Sequence, residues 1–136
     1  MRLEVTRRSD LAIRALLVLS ERGDRTKAAE LAEEVGASKG FLTQVMHPLV
    51  QRGWVRSDPG PTGGYAAAFE PAAVSVLEVI EVSEGPVDTG RCVLEDRTCA
   101  EAGTCALHRP WARARGNLID ELGSQSLASL RDPVGR

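Results

Sequence analysis

TKAAELAEEVGASKGFLTQVMHPLVQRG, residues 26–53, is the stretch on which the fold turns. Ala28, Leu31, Ala32 and Val35 recur at i, i+3, i+4 and i+7, laying one apolar stripe along a helix that Thr26 is placed to cap. Gly36 can take the left-handed position that closes this helix. Ser38 then caps a second helix, whose inward face is Leu42, Val45, Met46, Leu49 and Val50. The opposite stripe, Gly40, Thr43, Gln44, His47 and Gln51, is small or polar. Pro48 lacks an N–H and is expected to bend the helix or tighten its last part, and Gly53 to end it. Two helices joined by a tight Gly-containing turn form a helix–turn–helix unit.

The flanks extend this unit on both sides. Upstream, RRSDLAIRALLVLSER at 7–22 reads as a helix capped by Thr6 or Ser9, with Leu11, Ala12, Ala15, Leu16, Leu17 and Leu19 as its apolar face. Downstream, WVRSDPGPTGGYAAAF at 54–69 places short strands near 54–56 and 65–67 around a Gly- and Pro-rich loop, which is a hairpin. A further helix begins at Ser75, where Ser75 and Glu78 make a capping box, and stops near Gly85. RPWARARGNLIDELG, from 109, is a last helix with Pro110 in its first turn and Gly116 weakening it by about 1 kcal/mol relative to Ala. The tail beyond Gly123 is expected to fray, apart from Leu127 and Leu130.

The expected fold is therefore mainly α with a small β-hairpin wing: a winged helix–turn–helix followed by a long C-terminal helix. The expected divisions are 1–70 for the winged unit, 71–90 for a connecting helix, 91–108 for a loop holding every cysteine, and 109–136 for the last helix and tail. The length of 136 residues suits one domain, and with 43% apolar but only 4% aromatic residues the core must be Leu, Val, Ile and Ala. No apolar run approaches the roughly 20 residues of a membrane span, and no secretory apolar region follows Met1, so a soluble, cytoplasmic protein is expected.

Net charge is −2, which by itself does not mark a nucleic-acid partner. Residues 1–66 carry ten Lys/Arg against eight Asp/Glu, and residues 67–136 carry seven against eleven. The winged unit is thus the basic half. Its geometry sends the third helix into a major groove, where Lys39, Thr43 and Gln44 at the N-terminal end can meet base edges. Gln pairs bidentately with adenine, and Lys39 reaches guanine or a phosphate. The helix N-terminus at Ser38 and Gly40 attracts phosphate. Arg7, Arg8, Arg56 and Thr62 are candidate backbone contacts, and His47 reads as a phosphate contact or a solvated residue rather than a metal ligand. Alone, the polar stripe equally describes a solvated surface helix; the order of three helices and a hairpin favours duplex DNA.

Cys92, Cys99 and Cys105 fall at C-x6-C-x5-C, with His108 following at C-x2-H, and Gly90 and Gly103 let the loop wrap a compact group. Three thiols cannot all pair within one chain, and clustered cysteines in a reducing compartment more often serve metal or redox chemistry. Soft thiolates suit iron in a cluster. Three cysteines and a histidine equally describe a closed tetrahedral zinc site, although this spacing is wider than the usual knuckle. A metal-free thiol switch is a third reading. The loop alone divides evenly between zinc and iron–sulfur.

MRL at the start, SDLAIRAL at 9–16, LAEEVGASKGFLTQVMHPL at 31–49, GPTGGY at 60–65, VSVLEVIEVSEG at 74–85 and S-LASL near the end, together with the cysteine loop, resemble the IscR/NsrR/RirA family of bacterial iron–sulfur transcription regulators. The resemblance covers about residues 1–130. It implies a homodimer held by the C-terminal helices, a palindromic operator, and a cluster in the loop before those helices. In NsrR-like members a carboxylate from the partner's first helix completes the cluster, and Asp10 stands at that position. In IscR-like members a His after the third Cys does so, and His108 in C-A-L-H stands there. The match across the whole first-helix stretch favours a 4Fe–4S group over 2Fe–2S. The wing departs from the family, reading S-D-P-G-P where members often carry a basic residue, so minor-groove insertion by the wing is not expected to follow the family pattern.

These readings converge on a cluster-dependent DNA-binding repressor that senses nitric oxide, redox or iron–sulfur status. The alternatives are a zinc-stabilised or thiol-switch regulator, and an iron–sulfur carrier that binds no DNA. No Ser-His-Asp set, P-loop or dinucleotide glycine motif is present, so an enzyme is not expected, nor is a membrane or small-molecule substrate.

Overall fold

The computed structural model describes residues 1–130, with the backbone alone at 101 and 102; residues 131–136 of the expected tail lie outside the described residues. Helix α1 (Arg7–Arg22) starts at Thr6, whose hydroxyl accepts the Ser9 N–H. Its apolar stripe, Leu11, Ala12, Ala15, Leu16 and Leu19, is fully buried. Helices α2 (Ala28–Val35) and α3 (Lys39–Arg52) pack on it and on each other through Leu31, Val35, Leu42, Val45, Met46 and Leu49. Ser38 caps α3 as expected, accepting the Phe41 N–H at 3.1 Å. The helix runs on through Pro48 to Arg52. Because Pro48 offers no N–H, the Gln44 carbonyl lacks its usual helical donor.

Thr26 does not cap α2. The N-cap is Lys27, without a side-chain bond, and Thr26 is 1% exposed. Its backbone is committed elsewhere: Thr26 N–H donates to the Tyr65 carbonyl at 2.8 Å, and Tyr65 N–H returns to the Thr26 carbonyl at 2.9 Å. This pair docks the hairpin onto the α1–α2 turn. The hairpin itself is β1 (Val55–Asp58) against β2 (Gly64–Ala67), antiparallel, in the register Val55↔Ala67 to Asp58↔Gly64. β1 thus starts one residue later than expected and extends further toward the tip. Gly64 has a φ of 151°, and a Cβ there would lie 2.2 Å from the Thr26 carbonyl oxygen, so only glycine permits the docking.

After a 3-10 turn at Pro71–Ala73, helix α4 (Val76–Glu84) begins with the expected capping box: Ser75 and Glu78 each bond the other's backbone N–H. α4 packs on α1 and α3 and carries the last long helix, α6 (His108–Ser124), on its outer side. The short α5 (Cys99–Ala102) lies in the loop between them. No residue of α6 is buried, while the core runs through α1–α4, the hairpin and Leu127. The tail is stitched rather than frayed as far as it is described. Val76 N–H donates to the Gln125 carbonyl at 2.8 Å, Leu127 N–H to Val74 at 2.9 Å, and Leu127, in a 3-10 turn (Leu127–Leu130), is 0% exposed. Among the described residues no helix is long and apolar enough to cross a membrane.

Candidate functional site

Two regions carry the polar chemistry, one at the exposed face of α3 and one in the loop between α4 and α6. On α3, Lys39, Gly40, Thr43, Gln44 and His47 are all exposed on one stripe. The Thr43 hydroxyl donates to the Lys39 carbonyl at 3.0 Å, and the side chains of Lys39 and Gln44 make no hydrogen bond to another of the described residues. Arg8, Thr43, Gln44 and His47 border an open recess of about 590 Å³. A second recess, of about 320 Å³, separates Lys27 and Lys39 from the wing glycines Gly60, Gly63 and Gly64. Arg56 and Thr62 are exposed on the wing. Arg7 is engaged, its guanidinium donating to the Gly36 carbonyl at 3.0 Å.

The wing's acidic residue is neutralised in place. Asp58 accepts from the Arg25 guanidinium at 3.0 Å, so the hairpin does not present an unpaired carboxylate. Sequence reasoning missed Arg25. The two residues meet only because the Thr26–Tyr65 pairing folds the hairpin onto the α1–α2 turn; opposite charges at that turn and in the hairpin were the available signal.

In the loop, the three sulfur atoms Cys92 Sγ, Cys99 Sγ and Cys105 Sγ lie within 4.8 Å of one another. Cys99 is buried and the other two are half-buried. Backbone and side-chain bonds hold this convergence. Cys92 N–H donates to the Arg97 carbonyl at 2.7 Å, and Arg91 and Thr98 form a β-bridge. The Arg97 guanidinium donates to the carbonyls of Thr98 at 3.2 Å and Gly103 at 3.0 Å, which ties the two arms of the loop together. The thiols are not equivalent. The Leu94 N–H, 3.4 Å from Cys92 Sγ, holds Cys92 below the usual thiol range. Desolvation pushes Cys105 up.

Neither His108 nor Asp10 belongs to this group. The His108 N–H donates to the Cys105 carbonyl at 3.1 Å, and its side chain borders a recess of about 310 Å³ together with Cys99 and Arg115. Asp10, on α1, is paired with Arg14 at 3.0 Å. The donor set itself fits a soft metal group: three converging sulfurs in a partly sheltered loop.

Three helices, a docked wing and an exposed polar face on the third helix define a winged-helix transcription regulator that binds DNA. The chain belongs to the Rrf2 family, described as an iron-dependent transcriptional regulator, which it matches over residues 5–133. It is 32% identical over 105 residues to the HTH-type transcriptional regulator CymR of Bacillus subtilis, covering 77% of this chain and 71% of that one. It is 28% identical over 131 residues to IscR of Vibrio cholerae, covering 94% and 75%. Among solved structures, B. subtilis CymR, the global cysteine regulator of that organism, superposes with a TM-score of 0.74 at 27% identity, covering 95% of this chain and 96% of that chain. T. potens IscR gives 0.70 at 25%, covering 94% and 85%.

Proposed function

We propose that this chain is a homodimeric repressor whose hold on a palindromic operator depends on an iron–sulfur group held by Cys92, Cys99 and Cys105. The convergence of the three sulfurs within 4.8 Å carries this reading. Asp10 of the partner copy would supply the fourth ligand of a 4Fe–4S group; His108 as fourth ligand, with 2Fe–2S, is the alternative arrangement. When bound, the group supplies a centre reactive toward nitric oxide and oxidants. The protein's part is mechanical. With the thiols held together the loop would be held in one conformation, and an Asp10 ligand crossing between copies would fix the separation of the two α3 helices. Half-sites about 34–36 Å apart require that separation.

On the DNA side, Thr43 and Gln44 contact base edges, Lys39 reaches a guanine or a phosphate, and Ser38 and Gly40 lie along the same groove. Arg7, Arg8, His47, Arg56 and Thr62 contact the backbone. Residues 1–70 act as the reading unit, 71–90 as the connector, 91–108 as the sensing loop and 109–136 as the dimer contact; the unburied α6 supports the last assignment. The reading places the protein in the cytoplasm.

A second reading has one observation in its favour. The lowered Cys92 beside two further thiols suits a metal-free thiol switch, and the likeness to a cysteine regulator is compatible with it. Anaerobic purification followed by absorption spectroscopy and iron, sulfide and zinc analysis separates these. Coloured protein with matched iron and sulfide supports the cluster. Colourless protein with one zinc per chain, or with no metal, removes it.

A further inference from the structure

The last residue of α4, Glu84, stands where the connecting helix ends and the chain turns toward the thiol loop. One of its carboxylate oxygens, Oε2, accepts three hydrogen bonds from the start of α1. The Thr6 N–H donates at 3.3 Å, the Thr6 hydroxyl at 2.8 Å, and the Ser9 hydroxyl also donates. Ser9 is 0% exposed, so this is an interior contact on one side. The Thr6 hydroxyl in turn accepts the Ser9 N–H, closing a ring around the helix start. A carboxylate is favoured there because the first-turn N–H groups of a helix lack internal partners and carry partial positive charge.

This first turn also bears Arg7, whose guanidinium donates to the Gly36 carbonyl at 3.0 Å. Gly36 closes α2, and Ser38, two residues on, caps α3. On the other side, Gly85 turns the backbone at a φ of 93°, and Val87 N–H returns to the Glu81 carboxylate at 2.9 Å. Cys92 follows five residues later. Bonded contacts therefore run without a gap from the approach to the thiol loop, through Glu84, Thr6 and Arg7, to the turn that aims α3.

We infer that Glu84 is a positioning residue: its carboxylate clamps the first turn of α1 and, through Arg7, sets the α2–α3 turn relative to the segment entering the thiol loop. Insofar as α3 reads DNA, this rests on the function proposed above. It assigns the coupling to a route within each copy, distinct from any ligand crossing between copies. The test perturbs one end of this route and reads the other.

Amide hydrogen exchange on the cluster-free protein, well below its melting temperature, does this without needing cluster or DNA. In Glu84→Ala, exchange at Ser9 and Asp10 accelerates about tenfold, the size expected for losing a hydrogen bond to a charged group. Exchange at residues 37–42 accelerates with it, although the Glu84 carboxylate bonds Thr6 and Ser9 instead, while α6 stays unchanged. Glu84→Gln, which keeps an acceptor oxygen, restores part of the protection. Arg7→Gln accelerates 37–42 and leaves Ser9 and Asp10 alone, and it serves equally if the alanine variant does not fold. No change at 37–42 in either Glu84→Ala or Arg7→Gln overturns the inference, as does acceleration spread equally into α6. Separately, operator affinity of cluster-loaded and cluster-free protein differs less in Glu84→Gln than in the native chain. Should the native chain itself show no such difference, the sensing proposal fails, and the exchange data still decide the role of Glu84.

Discussion

Replacing Gly64 with alanine tests the docking of the wing, on which the shape of the reading unit depends. A Cβ at this position meets the Thr26 carbonyl oxygen at 2.2 Å and the Thr26 carbonyl carbon at 2.8 Å, both backbone atoms that cannot swing aside. The φ of 151° adds strain for any residue with a side chain. Relief requires the hairpin to lift away from the α1–α2 turn, breaking both Thr26–Tyr65 backbone hydrogen bonds. Two such bonds contribute about 1 kcal/mol each, and the unfavourable backbone costs about 1–3 kcal/mol more. The expected loss is thus about 3–5 kcal/mol, a large share of the 5–15 kcal/mol typical of a domain. Gly60→Ala is the control: Gly60 also has a positive φ, of 95°, but open space around it, so only the strain applies. Its expected cost is about 1 kcal/mol. Urea unfolding followed by circular dichroism measures both, with an unchanged m-value confirming that the midpoint reports stability. A Gly64→Ala loss no greater than that of Gly60→Ala refutes the reasoning.

Other consequences are equally direct. Leu127→Ala leaves a hole where the tail meets the core and should cost about 2–5 kcal/mol in thermal or urea unfolding; a loss under about 1 kcal/mol means that the tail is not docked. In reduced, cluster-free protein, thiolate fraction rises as pH passes the thiol pKa, so lowered Cys92 reacts with iodoacetamide at lower pH than raised Cys105. Peptide mass spectrometry reads this, and coincident pH midpoints contradict it. Lys39→Gln and Gln44→Ala should separate on DNA. Loss of a phosphate contact by Lys39 flattens the log–log salt slope by about 0.9. Loss of a base contact by Gln44 relaxes preference at one position by about 1–3 kcal/mol.

What could be read from the chain followed the range of the interactions. The stripes of α1 to α4 repeat within a turn or two, and the Ser38 and Ser75 caps act over three residues, so local pattern sufficed for them. Thr26 has the right chemistry for a cap, yet its backbone is taken by Tyr65, a partner that becomes close only when the hairpin docks. Leu127 differs: its apolar character set it apart from a tail expected to fray, but its partner Val74 comes close only in the fold. At the site, the thiols were legible because they share one loop. The Arg25–Asp58 pair and the Glu84 clamp on Thr6 and Ser9 were not, since each joins segments that local periodicity does not relate. Asp10 and His108 stand apart from the three thiols within one chain.

The central claim is that a group held by three thiolates governs grip on DNA, and operator affinity measured anaerobically for cluster-loaded, cluster-free and Cys99→Ser protein addresses it most directly. The account predicts that the loaded form protects a two-fold symmetric site, and that both other forms bind it at least about fivefold more weakly, the lower end of ordinary allosteric coupling. Equal affinity across all three forms contradicts it.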